Sequence, residues 1–461
     1  MGSEFQTLNL HACPQRTTLM PPMLHMTRTR HDSRKILRFA ALFLAGLALI
    51  TLSGCKLAEV FSLHGNQSTM VTEGPVAARQ WDLFMITVWV TTGIFIVVGA
   101  VLAYAQIKFY AKDEDAVKAE PPVQGHGNPL IEIGLIAASV GLLVIIAVPT
   151  VRDIWYTHDV PEAEKANAID VTATGYQWWF KFEYNDPAMV VKLPGGGEAP
   201  LVTGNELVVP AGRPVRVHLR TVDVIHSFWI PKLAGKVDMM PNRPNFLWFK
   251  ANRAGYFYGQ CAEYCGESHA IMKFRVIALD QPDYDKWLAN QKQPARSVTA
   301  QTAATEQPRV QFAKLDLKDG RALSASPEFD ANPLAAWRKQ QEPEAGENAA
   351  LVAQGRNVFK DKTCITCHTV RGHDGIGING PDLTRVGARS TIAAGTLENT
   401  PERLSQWLRD PTHFKPGNKM YYGIGGMAGY MKPDGKGGWT PNIVLNEQDI
   451  NALVAYLHSL K

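Results

Sequence analysis

Long apolar runs dominate the first third of the chain, and short alternating segments follow them. The first run, "FAALFLAGLALITL" over 39–52, is shorter than the roughly 20 residues that a transmembrane helix needs. The second and third runs, 84–107 and 133–151, contain no charged residue and are long enough to span a bilayer. A short polar loop joins them, so the pattern predicts a transmembrane hairpin over 81–152 with spans at about 84–107 and 130–151.

The short first run has the pattern of a signal peptide. Basic residues precede it, and "LSGC" follows it and ends at Cys55. A basic segment, a short apolar segment and a small-residue exit predict a signal peptide over 1–54. The ending resembles a bacterial lipoprotein box, which implies a lipid on Cys55 and an external N-terminal segment over 55–80. An uncleaved anchor helix is the alternative.

From about residue 165 the apolar positions alternate with polar ones. In "VRVHLR", Val215, Val217 and Leu219 share one face of a strand. Further short candidates, separated by Gly, Pro and Asn, are "IDVTAT", "ELVVP", "FLWFK", "GYFYGQ" and "KFRVIA". Short strands with turn residues between them predict an all-β sandwich or Greek-key barrel over 165–285.

The net charge and the positions of the cysteines limit the partners and cofactors that the chain can be expected to bind. The chain has 47 Lys and Arg against 43 Asp and Glu, so no nucleic-acid partner is expected. The cysteines comprise two singletons and two close pairs, which favours metal or cofactor binding over a disulfide framework. They are Cys13, Cys55, Cys261, Cys265, Cys364 and Cys367.

The first close pair lies in "CAEYCGESHAIM", over 261–272. Thiolates and thioethers are soft ligands that suit copper, and a mononuclear blue-copper site uses one Cys, two His and a weak axial Met. This segment has one cysteine more, so Cys261 and Cys265 are expected to bridge two copper ions. Each copper then needs one imidazole and one weak ligand, and His269 and Met272 supply one of each.

The remaining copper ligands must come from elsewhere in the fold. "DVIHSFWIP" offers His226 at the end of a strand, and a backbone carbonyl in the cysteine loop, such as that of Glu263, offers the second weak ligand. The alternatives are a Cys261–Cys265 disulfide, a zinc site and a copper-chaperone pair. Each alternative uses fewer of these residues.

With the transmembrane hairpin, this set resembles the CuA motif of cytochrome c oxidase subunit II. The ligand motif of that family corresponds to His226, Cys261, Glu263, Cys265, His269 and Met272. The resemblance implies a magnesium ion at Glu263, on the contact with the catalytic subunit, and a loop containing Asp238 that faces the same subunit.

Two further residues lie outside the ligand set. In "GYQWWFKF" the resemblance implies that Trp178 receives the electron from cytochrome c, whereas the residue pattern alone favours a core aromatic. Glu132, at the start of the third run, is either a proton-entry residue or an interfacial carboxylate.

A second cofactor pattern follows a polar stretch. Residues 291–308 contain no Leu, Ile or Phe, and they predict a low-order linker over 286–346. "CITCH" is the attachment motif of a c-type haem, with thioether bonds to Cys364 and Cys367 and with His368 as the proximal iron ligand. A zinc site is the alternative.

Residues 347–461 resemble class I cytochrome c, which implies an all-α domain with Pro381 over the proximal histidine. The sixth iron ligand of such a domain is usually a methionine, because a thioether raises the reduction potential. Met420, Met427 and Met431 follow the attachment motif. The segment "KPGNKM" resembles the one that carries the ligand in the fused family, so Met420 is expected to bind the iron, with Met427 and Met431 as alternatives.

These patterns describe a multi-domain membrane protein with a two-helix transmembrane hairpin, an all-β cupredoxin-like Greek-key CuA domain and an all-α class I cytochrome c domain. The resemblance implies subunit II of a caa-type haem–copper oxidase, which accepts electrons on haem c and passes them through CuA to a catalytic subunit that reduces oxygen and translocates protons. The expected partners are subunit I, other oxidase subunits, membrane lipid and a donor, either a cytochrome or quinol–cytochrome c reductase. Both cofactor domains are expected outside the bacterial inner membrane. A related nitric oxide reductase and a membrane-bound copper redox or chaperone module are the alternatives.

Overall fold

A computed structural model describes residues 65–109, 125, 127–193, 196–299, 326–424 and 426–461 of the chain. The expected signal peptide, the expected lipid site at Cys55 and the start of the external segment lie outside these residues. Most of the loop between the two apolar runs and the middle of the expected linker also lie outside them.

Two long helices contact each other in the hairpin, α1 over Pro75–Lys108 and α2 over Pro129–His158. At 1.5 Å per residue they measure roughly 51 and 45 Å, which exceeds the hydrocarbon thickness of about 30 Å. Their central side chains are apolar and point outward, and both helices are long and apolar enough to cross a membrane.

Both helices extend beyond the expected spans, because their outer turns pack on the β-domain. The Asp153 carboxylate is buried and accepts a hydrogen bond from Arg79 at 3.2 Å, which joins the two helices. The carbonyl of Tyr156 accepts from the Trp248 indole at 3.1 Å. A hydropathy pattern detects only the lipid-facing part of such a helix, so the polar outer turns fell outside the predicted spans.

The β-domain begins after a short helix, α3 (Glu162–Lys165), and contains two five-stranded sheets. Its strands are β1 Ile169–Tyr176, β2 Trp179–Tyr184, β3 Val190–Lys192, β4 Glu198–Pro200, β5 Val202–Gly204, β6 Glu206–Pro210, β7 Val215–Thr221, β8 His226–Trp229, β9 Val237–Met239, β10 Asn245–Phe249, β11 Gly255–Cys261 and β12 Lys273–Leu279. The sheet orders are β10-β7-β1-β2-β5 and β6-β12-β11-β8-β9, and β3 pairs with β4 apart from them. Each sheet contains one parallel pair, β1 with β7 and β6 with β12, so the chain crosses between sheets. The prediction of an all-β sandwich is confirmed.

A cluster of aromatic rings fills the space between the sheets. Phe180 comes from one sheet, and Phe228 and Phe274 come from the other; all three are fully buried. The ring centroids of Phe228 and Phe274 lie 4.5 Å apart, and those of Phe180 and Phe274 lie 4.8 Å apart. Phe228 and Phe274 each follow a predicted copper ligand by two residues, and residues so spaced along a strand share a face.

The prediction of a low-order linker over 286–346 is wrong at both of its ends, where the structure describes helices. Helix α4 (Gln281–Lys292) extends past residue 285, and helices α5 (Pro327–Ala331) and α6 (Pro333–Gln340) lie within the expected linker. The side chain of Trp337 on α6 is buried in the core of the β-domain. The composition did not reveal that an aromatic side chain in the described part of this segment docks on a neighbouring domain.

The C-terminal domain is helical, as predicted, with two small hairpins added. Its elements are α7 Ala349–Asp361, β13 Thr391–Ile392, β14 Leu397–Glu398, α8 Pro401–Arg409, α9 Pro411–Phe414, α10 Lys419–Tyr422, β15 Met431–Pro433, β16 Trp439–Pro441 and α11 Glu447–Ser459. Helices α7 and α11 cross closely at Gly355, where a Cβ atom would lie 1.9 Å from the carbonyl oxygen of Ala452. Only glycine permits this approach, which brings the first and last helices of the domain together.

Candidate functional site

The cysteine loop lies between β11 and β12 at one end of the sandwich. Cys261 is the last residue of β11, and a short 3-10 turn over His269–Ile271 returns the chain to β12. Gly266 has a φ of +112°, which glycine adopts without strain. The turn and this glycine fold the loop so that its cysteines, histidine and methionine face the same interior point.

The predicted ligand atoms converge around the two sulfur atoms. The Sγ atoms of Cys261 and Cys265 are 3.7 Å apart, and no disulfide bond joins them. His226 Nδ1 is 3.8 Å from the Cys261 sulfur, and His269 Nδ1 is 3.5 Å from the Cys265 sulfur. Each thiol therefore has one imidazole nitrogen beside it, and the first histidine, His226, comes from β8 as expected from its place at a strand end.

The two weak ligands are divided in the same way. The carbonyl oxygen of Glu263 is 3.2 Å from the Cys261 sulfur, and the Met272 thioether is 3.8 Å from the Cys265 sulfur. Two central sulfurs, each with an imidazole and a weak donor beside it, suit a pair of soft ions that share both thiolates. A tetrahedral zinc site would leave part of this donor set unused.

Sequence reasoning missed Asp223, which orients the first histidine. Its carboxylate lies 2.8 Å from His226 Nε2 and also accepts hydrogen bonds from the backbone of Gln177 and Val224. An acceptor on Nε2 leaves Nδ1 free to bind a metal. Burial opposes the charged form of His226, but hydrogen bonds with Asp223 and Cys261 outweigh it and raise the pKa of the imidazole. The available signal was the Asp three residues before the His in "DVIHSFWIP".

The two thiols share their protons unequally in the absence of a metal. The hydrogen bond between Cys265 and Cys261 lowers the pKa of Cys261 and raises that of Cys265. A metal ion binds thiolate, so loading of this site must release the remaining proton.

Trp178 lies directly against the cysteine loop. Its indole nitrogen donates to the carbonyl oxygen of Cys265 at 2.8 Å, and the Gln177 amide donates to the same oxygen at 2.9 Å. The tryptophan is only 6% exposed. Its backbone carbonyl accepts a hydrogen bond from Lys415 of the C-terminal domain. Burial lowers the pKa of Lys415 to about 7, and nothing in the sequence identified this buried lysine.

The attachment motif borders a cavity in the C-terminal domain. Cys364, Cys367 and His368 line it, and His368 Nδ1 is 2.9 Å from the carbonyl oxygen of Pro381. This hydrogen bond turns the other ring nitrogen of His368 toward the cavity, as an iron ligand requires. Two cysteines and an oriented histidine on one apolar cavity fit a covalently bound haem.

The three candidate methionines differ in position. Met420, at the start of α10, lines the cavity and is held there by the hydrogen bond from its backbone amide to Asn418 at 2.7 Å. The Met427 thioether instead accepts from the Asn379 amide at 3.6 Å, and Met431 begins β15. Neither of these two side chains lines the cavity.

The haem cavity is shared between the two domains. Gln177, Trp178, Trp179 and Asn205 of the β-domain line it together with the attachment motif. Pro381 also packs on this domain, since a Cβ atom on Gly204 would lie 2.8 Å from its Cβ. One tryptophan therefore borders the haem cavity and contacts the cysteine loop.

Three predicted carboxylates are not directed at the sulfur atoms by any contact in the described residues. Glu132 is in the first turn of α2, roughly 39 Å along the helix from His158. The Asp238 and Glu263 carboxylates lie 3.9 and 4.0 Å from the ammonium group of Lys236. These two acids therefore share one lysine.

Comparisons with known proteins agree with this geometry. A family model described as cytochrome c oxidase subunit II, periplasmic domain, matches residues 169–279, and a cytochrome c model matches residues 352–461. A cytochrome c oxidase subunit 2 from Alkalihalophilus pseudofirmus is 32% identical over 93% of this chain and 99% of its own length. The chain belongs to the cytochrome c oxidase subunit II family. Relatives of the same name from Bacillus subtilis and a further Bacillus are 28% and 29% identical, each over 91% of this chain and 97% and 96% of their own lengths.

This subunit II carries a C-terminal cytochrome c domain and acts in electron transfer. Its two domain types imply copper and haem c as cofactors. As a subunit II it belongs to an oxidase complex and associates with other subunits such as subunit I. Its two apolar helices anchor it in the membrane.

The bridging role of the cysteines can be tested by counting copper in the purified protein. We expect two copper ions per wild-type chain and the purple mixed-valence absorption. Cys265→Ser should retain one ion or none and lose that absorption, because a serine oxygen is a hard ligand that does not replace a bridging thiolate.

Elemental analysis measures the copper, and Cys364→Ser is the matched control, since it alters the haem site and leaves the copper count unchanged. A single copper in the wild-type chain, or purple absorption in Cys265→Ser, would rule out the bridging assignment.

Proposed function

We propose that this subunit II receives electrons on a haem c in its C-terminal domain and passes them through Trp178 to a binuclear CuA centre in its β-domain. Electrons then continue to the catalytic subunit, where oxygen is reduced to water and protons are translocated. The proposal depends most on one observation: the Trp178 side chain lines the haem cavity and also donates a hydrogen bond to Cys265 at 2.8 Å.

The residues around the haem cavity and in the copper loop fit this role. When bound, haem c and the copper pair each accept and release one electron at a time. Cys261, Cys265 and Met272 are buried, and a rigid site limits rearrangement during transfer. Asp223 fixes the orientation of His226 through a 2.8 Å contact. We propose that Met420 would serve with His368 as a protein ligand of the haem iron, which is supported by the position of both residues in the cavity wall.

The hairpin supports a common side of the bilayer for both cofactor domains. Near the start of α1 the Ala77 amide donates to Leu233 of the β-domain, and near the end of α2 the Tyr156 carbonyl accepts from Trp248 of the same domain. We propose that this common side is the outer side of a bacterial inner membrane, and that lipid on Cys55 adds a second anchor. The electron donor would be a cytochrome or quinol–cytochrome c reductase.

Two roles remain predictions for the assembled complex. Glu132 in the first turn of α2 would admit protons from the opposite side of the membrane. A magnesium ion would bind the Glu263 carboxylate at the contact with subunit I, where Asp238 also lies beside Lys236. Both need groups from the neighbouring subunit.

A copper chaperone or redox sensor explains fewer of these features than an electron-transfer subunit does. Such a module needs an accessible cysteine pair, whereas Cys261 and Cys265 are both buried. It also has no use for a haem cavity that shares Trp178 with the copper loop. A nitric oxide reductase would use the same electron entry with a different catalytic subunit, and the relatives that match nearly the whole chain carry the oxidase name.

Replacement of Trp178 tests the electron route. Trp178→Phe removes the indole donor that contacts Cys265, so transfer from haem c to copper should slow while both cofactor spectra are retained. The rate is measured by following the haem and copper absorption after rapid one-electron reduction of the purified complex.

Trp179→Phe is the matched control, because Trp179 also lines the haem cavity but its side chain stacks on Tyr176 instead of contacting the loop. The route through Trp178 is refuted if Trp178→Phe transfers electrons at the wild-type rate.

Replacement of the candidate methionines tests the iron ligand. Met420→Ala should abolish the weak near-infrared band of the oxidised haem and lower its potential by on the order of 0.1 V, within the roughly 0.8 V range that axial ligands control. Met427→Ala is the control and should keep both properties. If the band persists in Met420→Ala and disappears in Met427→Ala, the ligand is Met427.

A further inference from the structure

Two buried arginines of the C-terminal domain hold the end of a helix that belongs to the β-domain. Arg371 Nη2 donates to the carbonyl oxygen of Gln291 at 2.8 Å. Arg385 Nη2 donates to the carbonyl oxygens of Asn290 and Gln293 at 2.6 and 3.0 Å. These oxygens form the C-terminal end of α4, where carbonyl groups lack helical partners and a positive charge is stabilised by the helix dipole.

The burial of these two cations is unusual for a surface between mobile domains. Arg371 is 6% exposed and Arg385 is 5% exposed. Burial of an arginine without partners is costly, so such a residue is buried where its hydrogen-bond acceptors are in place. Most of these acceptors belong to 290–294, outside the C-terminal domain. Separation of the domains would therefore leave Arg385 without its main acceptors, and Arg371 would keep the Asp382 carboxylate at 3.9 Å but lose its backbone acceptors.

A buried carboxylate forms a second junction between the same domains. Glu206, on β6, accepts hydrogen bonds from the backbone amide and hydroxyl of Ser390 and from the Trp337 indole. The three residues come from the β-domain, the C-terminal domain and the segment between them. Burial raises the pKa of Glu206, and the hydrogen bonds from Ser390 and Trp337 oppose this rise.

Further contacts bring the C-terminal domain against the copper loop itself. The Ser268 hydroxyl, fully buried, donates to the carbonyl oxygen of Pro416 at 2.6 Å. Thr396 donates to the carbonyl oxygen of Ile271 at 2.9 Å. Ser268 and Ile271 immediately precede the copper-ligating positions 269 and 272, so docking and copper binding involve the same loop.

We infer that Arg371 and Arg385 are positioning residues that, with Glu206, hold the haem-binding domain in one permanent docked arrangement on the copper-binding domain. The linker then joins the two domains covalently but does not set the rate at which they encounter each other. A flexible tether would act only by raising the effective concentration of the two partners. The use of this docked state in electron transfer rests on the proposed function, but the docking is measurable without it.

Cleavage of the linker tests the docking directly. A recognition sequence for a specific protease is inserted between residues 311 and 312 of the full-length chain, and the purified protein is cut in detergent. The named contacts of Arg371 and Arg385 with 290–294 all cross this cut. We expect the C-terminal fragment to elute with the membrane-anchored fragment in gel filtration at micromolar concentration. Separation of the wild-type fragments would overturn the inference.

Substitution of the arginines tests their part in it. Arg371→Gln with Arg385→Gln removes two sets of charge-assisted hydrogen bonds and should weaken the association of the cut fragments by roughly a hundredfold. The matched control is Arg356→Gln with Arg409→Gln, which removes the same charge from pairs with Asp374 and Glu447 inside the C-terminal domain. This control should leave the association unchanged.

A milder variant covers the case in which the double variant does not fold. Arg371→Gln alone removes the 2.8 Å hydrogen bond to the carbonyl oxygen of Gln291 and keeps Arg385, so it should weaken association by roughly tenfold. An intact haem spectrum identifies folded variants. Unchanged association in the folded variants would refute the positioning role, whereas docked fragments that lack the purple copper spectrum would refute the proposed function alone.

Discussion

The hydrogen bond from the Trp178 indole to the Cys265 carbonyl lies within the β-domain and fixes a side chain that borders both cofactor sites. It requires a buried tryptophan at the surface of the β-domain, and that burial exists because the C-terminal domain covers the ring, with Lys415 bound to the Trp178 backbone carbonyl. The same ring borders the haem cavity. The position of the haem relative to the copper loop therefore depends on how the domains dock.

The copper loop depends in turn on the sandwich beneath it. His226 and Met272 begin or precede strands whose next inward residues, Phe228 and Phe274, stack at 4.5 Å in the core. A change in strand register by one residue would turn these side chains to the opposite face and separate the ligands. The metal site is thus set by ordinary strand pairing and aromatic packing, with Asp223 fixing the remaining rotation of one imidazole.

The chemistry of the site was predictable from sequence because most of its donors lie within one twelve-residue loop and one five-residue motif. The contacts that dock the two domains were not, because Lys415 and Arg385 find their partners through tertiary structure. The linker prediction failed for a related reason. Composition records that apolar residues are few, but not that Trp337 is inserted into a neighbouring core. Likewise, hydropathy marked the lipid-facing helix segments and missed the outer turns around Asp153, which are stabilised by hydrogen bonds with the rest of the protein.

The central claim is that haem c and CuA work as one docked unit in which Trp178 joins their sites. The most direct test is time-resolved reduction of the purified oxidase by a photoactivated one-electron donor, followed at the haem and copper absorption bands over a range of ionic strength. We expect haem to be reduced first and copper to be reduced at the rate at which haem is reoxidised, independent of donor concentration and of salt. Copper reduction that bypasses the haem, or an internal rate that falls steeply with salt, would contradict this claim.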